Sequence, residues 1–191
     1  MTPYILAFGD SLTAGYGLQP HESFPRQLEA LLRERQPGAT VVNAGVSGDT
    51  SAGGRARLPR VLGRLTARPD LAIVELGAND LLRGVAPERM RDNLDWIVGE
   101  LGRCGIPVLL AGMCSPPFLG AWAERYNRVF PEVAARHGAA LYPHFLDGVM
   151  GDPALTLRDR VHPNARAIGI VARRILPHVE AALAAGERAA A

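Results

Sequence analysis

The chain has 191 residues, 48% of them hydrophobic and 21% charged, a composition that suits a single globular domain with a sizeable core. Its 21 basic against 19 acidic residues leave a net charge of +2, too small to steer nucleic acid or hold a membrane surface. Every basic residue is an arginine, which excludes a lysine nucleophile, a Schiff base and a P-loop lysine anywhere in the chain.

Five short apolar runs read as strands: YILAF (4–8), TVVNAG (40–45), LAIVEL (71–76), PVLLAGM (107–113) and AALYP (139–143). They are rich in Val, Ile and Leu on both faces, as buried parallel strands are. Amphipathic stretches lie between them. Leu28, Leu31 and Leu32 share one face; Leu58, Val61, Leu62 and Leu65 share another. Met90, Leu94, Ile97 and Leu101 repeat the spacing, as do Trp122, Tyr126, Val129 and Val133, and the last helix steps through Ile168, Val171, Ile175, Val179 and Leu183. Pro59 and Pro131 fall inside helical patterns, so those helices are expected to start late or kink. A βα unit repeated five times predicts an α/β fold, a parallel sheet with helices on both faces, forming one domain over residues 1–185. Residues 186–191 are expected to fray.

No apolar run reaches membrane-spanning length, so no stable membrane insertion is expected. The strand-like YILAF opens at Tyr4, so no signal peptide is expected ahead of it. The chain as it stands reads as cytoplasmic, or as periplasmic had a leader been removed. Cys104 and Cys114 match neither a CxxC pair nor a zinc site and read as core thiols. Asp147 and Asp152 are too sparse for a calcium site; no metal and no cofactor is expected.

In parallel sheets, ligands sit beyond the carboxyl ends of the strands. The segments that leave those ends are GDSLTAGYG (9–17), GVSGDTSAGG (45–54) and GANDLLRG (77–84), each Gly-rich with small polar groups. DRVHPN (159–164) precedes the final helix and should reach the same rim. There, Asp159 lies one turn before His162 and can accept from its ring, while Pro163 holds His162 out of helical geometry. His21, His137, His144 and His178 have no Asp at that spacing. A serine hydroxyl needs such a base to act as a nucleophile, and Ser11, after strand one, is placed to meet it. The anionic intermediate of acyl transfer needs preorganised donors. The backbone amides of Ser11 and Gly48 and the side-chain amide of Asn79 are the candidates. Taken singly, each is an ordinary turn or capping residue.

The four segments resemble, in order, the four blocks of the GDSL or SGNH hydrolases, and no block departs from the pattern. VVNAGVSGDTSAGG and VELGANDLLRG are most similar to the bacterial thioesterase, lysophospholipase and arylesterase branch. The resemblance implies a three-layer α/β/α, flavodoxin-like fold with five parallel strands. It also implies Ser11 as nucleophile, His162 as general base, Asp159 as its orienting partner, and Ser11, Gly48 and Asn79 as oxyanion hole. Asp10 would shape the loop. No GxSxG elbow is present, and a nucleophile after strand one sets this arrangement apart from the α/β-hydrolase type.

The expected reaction is hydrolysis of small to medium acyl esters, aryl esters included, through an acyl-enzyme, with acyl thioesters and lysophospholipids as further candidates. The expected partner is therefore a small-molecule ester, not nucleic acid. Pro116, Pro117, Phe118 and Leu119, apolar beyond strand four, are expected to wall the acyl site. Arg57, Arg60, Arg64 and Arg68 read as the solvated side of one helix. Two alternatives stay open: a carbohydrate O-acetylesterase or acyltransferase using the same residues, and a non-catalytic flavodoxin-like ligand-binding module.

Overall fold

The computed structural model describes residues 2–115 and 120–190. Five strands form its centre: β1 (Tyr4–Gly9), β2 (Thr40–Gly45), β3 (Leu71–Glu75), β4 (Val108–Ala111) and β5 (Ala140–Tyr142). All pairings are parallel, and the order across the sheet is β2-β1-β3-β4-β5, the flavodoxin-like order. The sheet changes winding direction at β1, so β1 and β3 lie side by side in register from Ile5 opposite Leu71 to Gly9 opposite Glu75.

Because strand side chains alternate, each strand feeds two cores. Ile5, Ala7, Leu71, Ile73 and Leu109 pack on one side against α2 (Phe24–Arg33) and α7 (Ala165–Ala190), where Leu28, Val171 and Ile175 are fully buried. Leu6, Phe8, Ala72, Val74 and Leu110 pack on the other side against α3 (Ser51–Leu62), α5 (Pro87–Arg103) and α6 (Gly120–His137). This is the three-layer α/β/α arrangement expected from the near-continuous apolar strands.

Two short helices stand where loops were expected: α1 (Ser11–Ala14) directly after β1, and α4 (Ala78–Leu82) after β3. Pro59 and Pro131 do lie inside helices, but α3 begins at Ser51 and α6 at Gly120, so neither helix waits for its proline. α7 extends to Ala190. The expectation of core thiols is corrected: Cys104 and Cys114 are both free and exposed. Cys104 caps the end of α5, past Leu101, the last buried residue of that helix, and Cys114 follows β4 into a loop.

Candidate active site

The carboxyl rim begins at Gly9. A β-carbon at this position would lie 2.1 Å from Thr13 Oγ1 and 2.5 Å from the Glu75 carbonyl, so only glycine lets the chain turn so tightly out of β1. Asp10 then caps α1, its Oδ1 accepting the Leu12 amide at 3.0 Å. Ser11 is therefore the first residue of a helix and not its cap, and it is 8% exposed. Beneath it lies Glu75, at the end of β3, whose Oε2 accepts from the Thr13 hydroxyl at 2.8 Å and from the Asp10 amide at 3.4 Å. Burial, with the Asp10 charge beside it, pushes the Glu75 carboxyl well above the usual carboxylate range. Burial also raises Asp10 to about 6, although the Leu12 amide and the Asn79 side chain pull the other way.

The opposite wall comes from the far end of the chain. Thr156 and Pro163 form an antiparallel bridge, the Leu157 amide donates to the His162 carbonyl at 2.7 Å, and the Arg160 amide donates to the Leu157 carbonyl at 3.0 Å. Arg160, at φ 58°, is the only non-glycine residue with positive φ among the described residues. The turn gathers three donors on Asp159. Its Oδ1 accepts the amides of Val161 and His162, each at 3.0 Å, and its Oδ2 lies 2.7 Å from His162 Nδ1. The Val161 amide first, then the His162 ring and amide, hold the Asp159 carboxyl down at about 2. An ionised Asp159 accepts only, so the ring proton sits on Nδ1 and Nε2 is left as an acceptor. That Nε2 lies 3.0 Å from Ser11 Oγ, across 151 residues of sequence. The Tyr16 ring packs on the imidazole, with centroids 4.4 Å apart.

Gly48 lies in the turn after β2 at φ 79°, a left-handed conformation that favours glycine. Its carbonyl accepts from Arg83 Nη2 at 2.7 Å. Asn79, in α4, donates through Nδ2 to Asp10 Oδ2 and to the Asp49 carbonyl, both at 2.9 Å. The amide expected to serve an oxyanion thus already has an acceptor for each of its hydrogens. α4 is fixed from below by Asp80, fully buried, which accepts from the Ser51 amide at 2.8 Å and the Ser51 hydroxyl at 2.6 Å.

The expected arginine stripe is corrected. α3 ends at Leu62, so Arg64 and Arg68 lie beyond it. Arg57 turns inward, its side chain 19% exposed, and donates to Asp49, Ala44 and Gly9. Helical spacing hid this, because none of the partners lies on α3: Gly9 ends β1, Ala44 is in β2 and Asp49 is in the loop before the helix. Tyr16, Arg83 and Glu75 were also missed; the first two could have been flagged only by their position in a rim segment, and Glu75 by its charge within the apolar run LAIVEL. Pro116, Pro117, Phe118 and Leu119 lie outside the described residues. Among those described, no cluster of three or more His, Cys, Asp and Glu side chains could hold a metal ion.

A hydroxyl, an imidazole and a carboxylate in hydrogen-bonded series at the rim of a parallel sheet have the makings of a serine hydrolase. Residues 7–167 match the model of the GDSL-like lipase/acylhydrolase family. Esterase TesA of Pseudomonas aeruginosa is 41% identical over 160 residues, 83% of this chain and 79% of that protein. The thioesterase 1/protease 1/lysophospholipase L1 of Escherichia coli is 35% identical over 170 residues, 88% of this chain and 79% of that protein. The crystal structure of AlinE4, an SGNH-hydrolase family esterase, superposes with a TM-score of 0.80 at 47% identity, covering 96% of this chain and 97% of that one. The chain belongs to the GDSL-like lipase/acylhydrolase family.

Proposed function

We propose that this protein is a serine esterase that hydrolyses small to medium acyl esters, aryl esters included, through an acyl-enzyme on Ser11, with residues 1–185 forming one catalytic domain. The observation that carries the reading is the hydrogen-bonded series itself: Asp159 Oδ2 to His162 Nδ1 at 2.7 Å, and His162 Nε2 to Ser11 Oγ at 3.0 Å. With Asp159 ionised, His162 Nε2 takes the Ser11 proton as Oγ attacks the acyl carbonyl. His162 then gives that proton to the departing alkoxide, and water repeats the two steps on the acyl-enzyme.

The amides of Ser11 and Gly48 and the Asn79 side chain receive the negative oxygen. For Asn79 this means sharing the hydrogen now held by the Asp49 backbone carbonyl, an exchange that a full anionic charge favours over a neutral carbonyl. Tyr16, Val46 and Leu82, exposed apolar side chains on the rim segments, offer surface for the acyl or aryl group. Thioesters need no different machinery. The Escherichia coli relative is named as thioesterase and lysophospholipase, which supports including both in the substrate range. No helix among the described residues is long and apolar enough to cross a membrane.

The test is a panel of p-nitrophenyl esters of increasing chain length, acyl-CoA and acetylated sugars, run on wild type and Ser11→Ala. Hydrolysis of the p-nitrophenyl esters is expected, with kcat lower by about three orders of magnitude or more in the variant. A folded Ser11→Ala protein of undiminished activity rejects the reading. Acetylated sugars as the sole good substrates redirect it to a carbohydrate O-acetylesterase.

A further inference from the structure

Arg57 sends three donors in three directions. Nη2 donates to the Gly9 carbonyl at 2.9 Å, Nη1 to the Ala44 carbonyl at 2.8 Å, and Nε to the Asp49 carboxylate at 2.6 Å. The guanidinium also lies over the Phe8 ring, with Cζ 4.0 Å from the centroid. Gly9 ends β1, and its carbonyl belongs to the peptide entering Asp10, one residue before Ser11. Ala44 lies in β2, just before the turn that presents Gly48. Asp49 follows Gly48, and its own carbonyl accepts from Asn79. One planar cation thus touches the segment carrying the nucleophile and the segment carrying one oxyanion amide. It reaches the other donor at one remove, through Asp49, whose carboxylate accepts from Arg57 and whose backbone carbonyl accepts from Asn79.

We propose that Arg57 is a positioning residue for acyl transfer, its guanidinium holding the Ser11 turn and the Gly48–Asn79 donors in a single geometry. It reaches no substrate. The proposal rests on Ser11 being the nucleophile and adds the device that sets the distance between that nucleophile and the oxyanion donors. Surplus carbonyl capacity at two adjacent strand ends is what a fork of N–H groups satisfies and what a point-charge ammonium does not. The Asp49 side chain, 11% exposed, faces this fork, so the pair is partly desolvated and directional. Loosening the tie lets the β1 and β2 rims move apart. Such a shift weakens stabilisation of the transition state more than binding of the ester.

The experiment uses the full chain with p-nitrophenyl acetate, and thermal unfolding by circular dichroism verifies the fold of each variant. Arg57→Lys is expected to lower kcat about tenfold and Arg57→Ala about a hundredfold, with KM within about twofold of wild type. Methylguanidinium should restore part of the Arg57→Ala kcat, while methylammonium at the same concentration should not. Wild-type kcat in Arg57→Lys, or rescue of folded Arg57→Ala equally by both cations, overturns the proposal.

Should Arg57→Ala fail to fold, the pair Arg57→Lys and Asp49→Asn decides. The double variant is expected to be no slower than the worse single variant, because both break one tie. Losses that simply multiply contradict it. Wild type serves as the control for the reading beneath. A wild-type protein inert toward the ester sinks the esterase assignment and the positioning role with it, whereas an active wild type with unaltered Arg57 variants sinks the positioning role alone.

Discussion

Asp159 stays ionised down to about pH 2 because two backbone amides and the His162 ring all donate to it. Its partner's ring orientation is therefore fixed across any pH at which an ester can be assayed. Asn79 is the opposite case: a donor whose hydrogens are both engaged before substrate arrives. Its contribution should appear only when an anion competes for one of them. Asn79→Ala is accordingly expected to lower kcat about a hundredfold with little change in KM, measured by steady-state hydrolysis of an aryl ester. A loss much below tenfold would take Asn79 out of the oxyanion hole. At this scale the sequence is informative where the signal is local. Asp159 and His162 are three residues apart, and Ser11 sits directly beyond a strand. Arg57 was illegible because its role lies in Gly9 and Ala44, 48 and 13 residues away, and in Asp49, off the helix that carries it.

α1 is only four residues long, and it is held by a capping carboxylate, a hydroxyl and the buried Glu75. So short an element has no periodicity to read, which is why it and α4 were expected as loops. Its carboxylates make the fold pH-sensitive in a definite direction. Asp10 titrates at about 6 in the fold against 3.8 as the ordinary value, so the folded state binds its proton more tightly than the unfolded chain. The stabilisation is present at low pH and is lost as pH rises through about 6. Glu75, raised by burial and by the Asp10 charge, acts in the same sense. Asp159 acts oppositely, but its contribution is lost only as pH falls from 3.8 toward about 2, outside the interval of interest; His144, whose ring is held below its ordinary value by burial, also acts oppositely and within the interval. Urea unfolding is therefore expected to show wild type less stable at pH 8 than at pH 5 by about 1–2 kcal/mol, with Glu75→Gln narrowing the difference. Stability rising over that interval would contradict the burial of these carboxylates.

Across the whole molecule, the flavodoxin-like strand order places β1 and β3 at the centre, with β2 beside β1. The segments leaving all three strands consequently share one rim, and the turn ahead of α7 closes it from the carboxyl end of the chain. This architecture was legible from the alternation of apolar runs with amphipathic stretches. The strands are found within one or two residues of their expected ends, since each apolar run is short and bounded by Gly, Pro or polar residues; β1, β3 and β4 are buried on both faces, whereas the edge strand β2 exposes Asn43. The exposure of Cys104 and Cys114 was not legible, because a small apolar side chain just past a helix or strand carries no period of its own. The catalytic reading depends on two residues that only the complete fold brings together. The most direct test is labelling with a p-nitrophenyl alkylphosphonate, followed by intact mass and peptide mapping. One adduct per chain on Ser11 is expected, absent in Ser11→Ala and slowed by at least about a thousandfold in His162→Ala. Labelling at another residue, or at Ser11 with the same rate when His162 is gone, would contradict it.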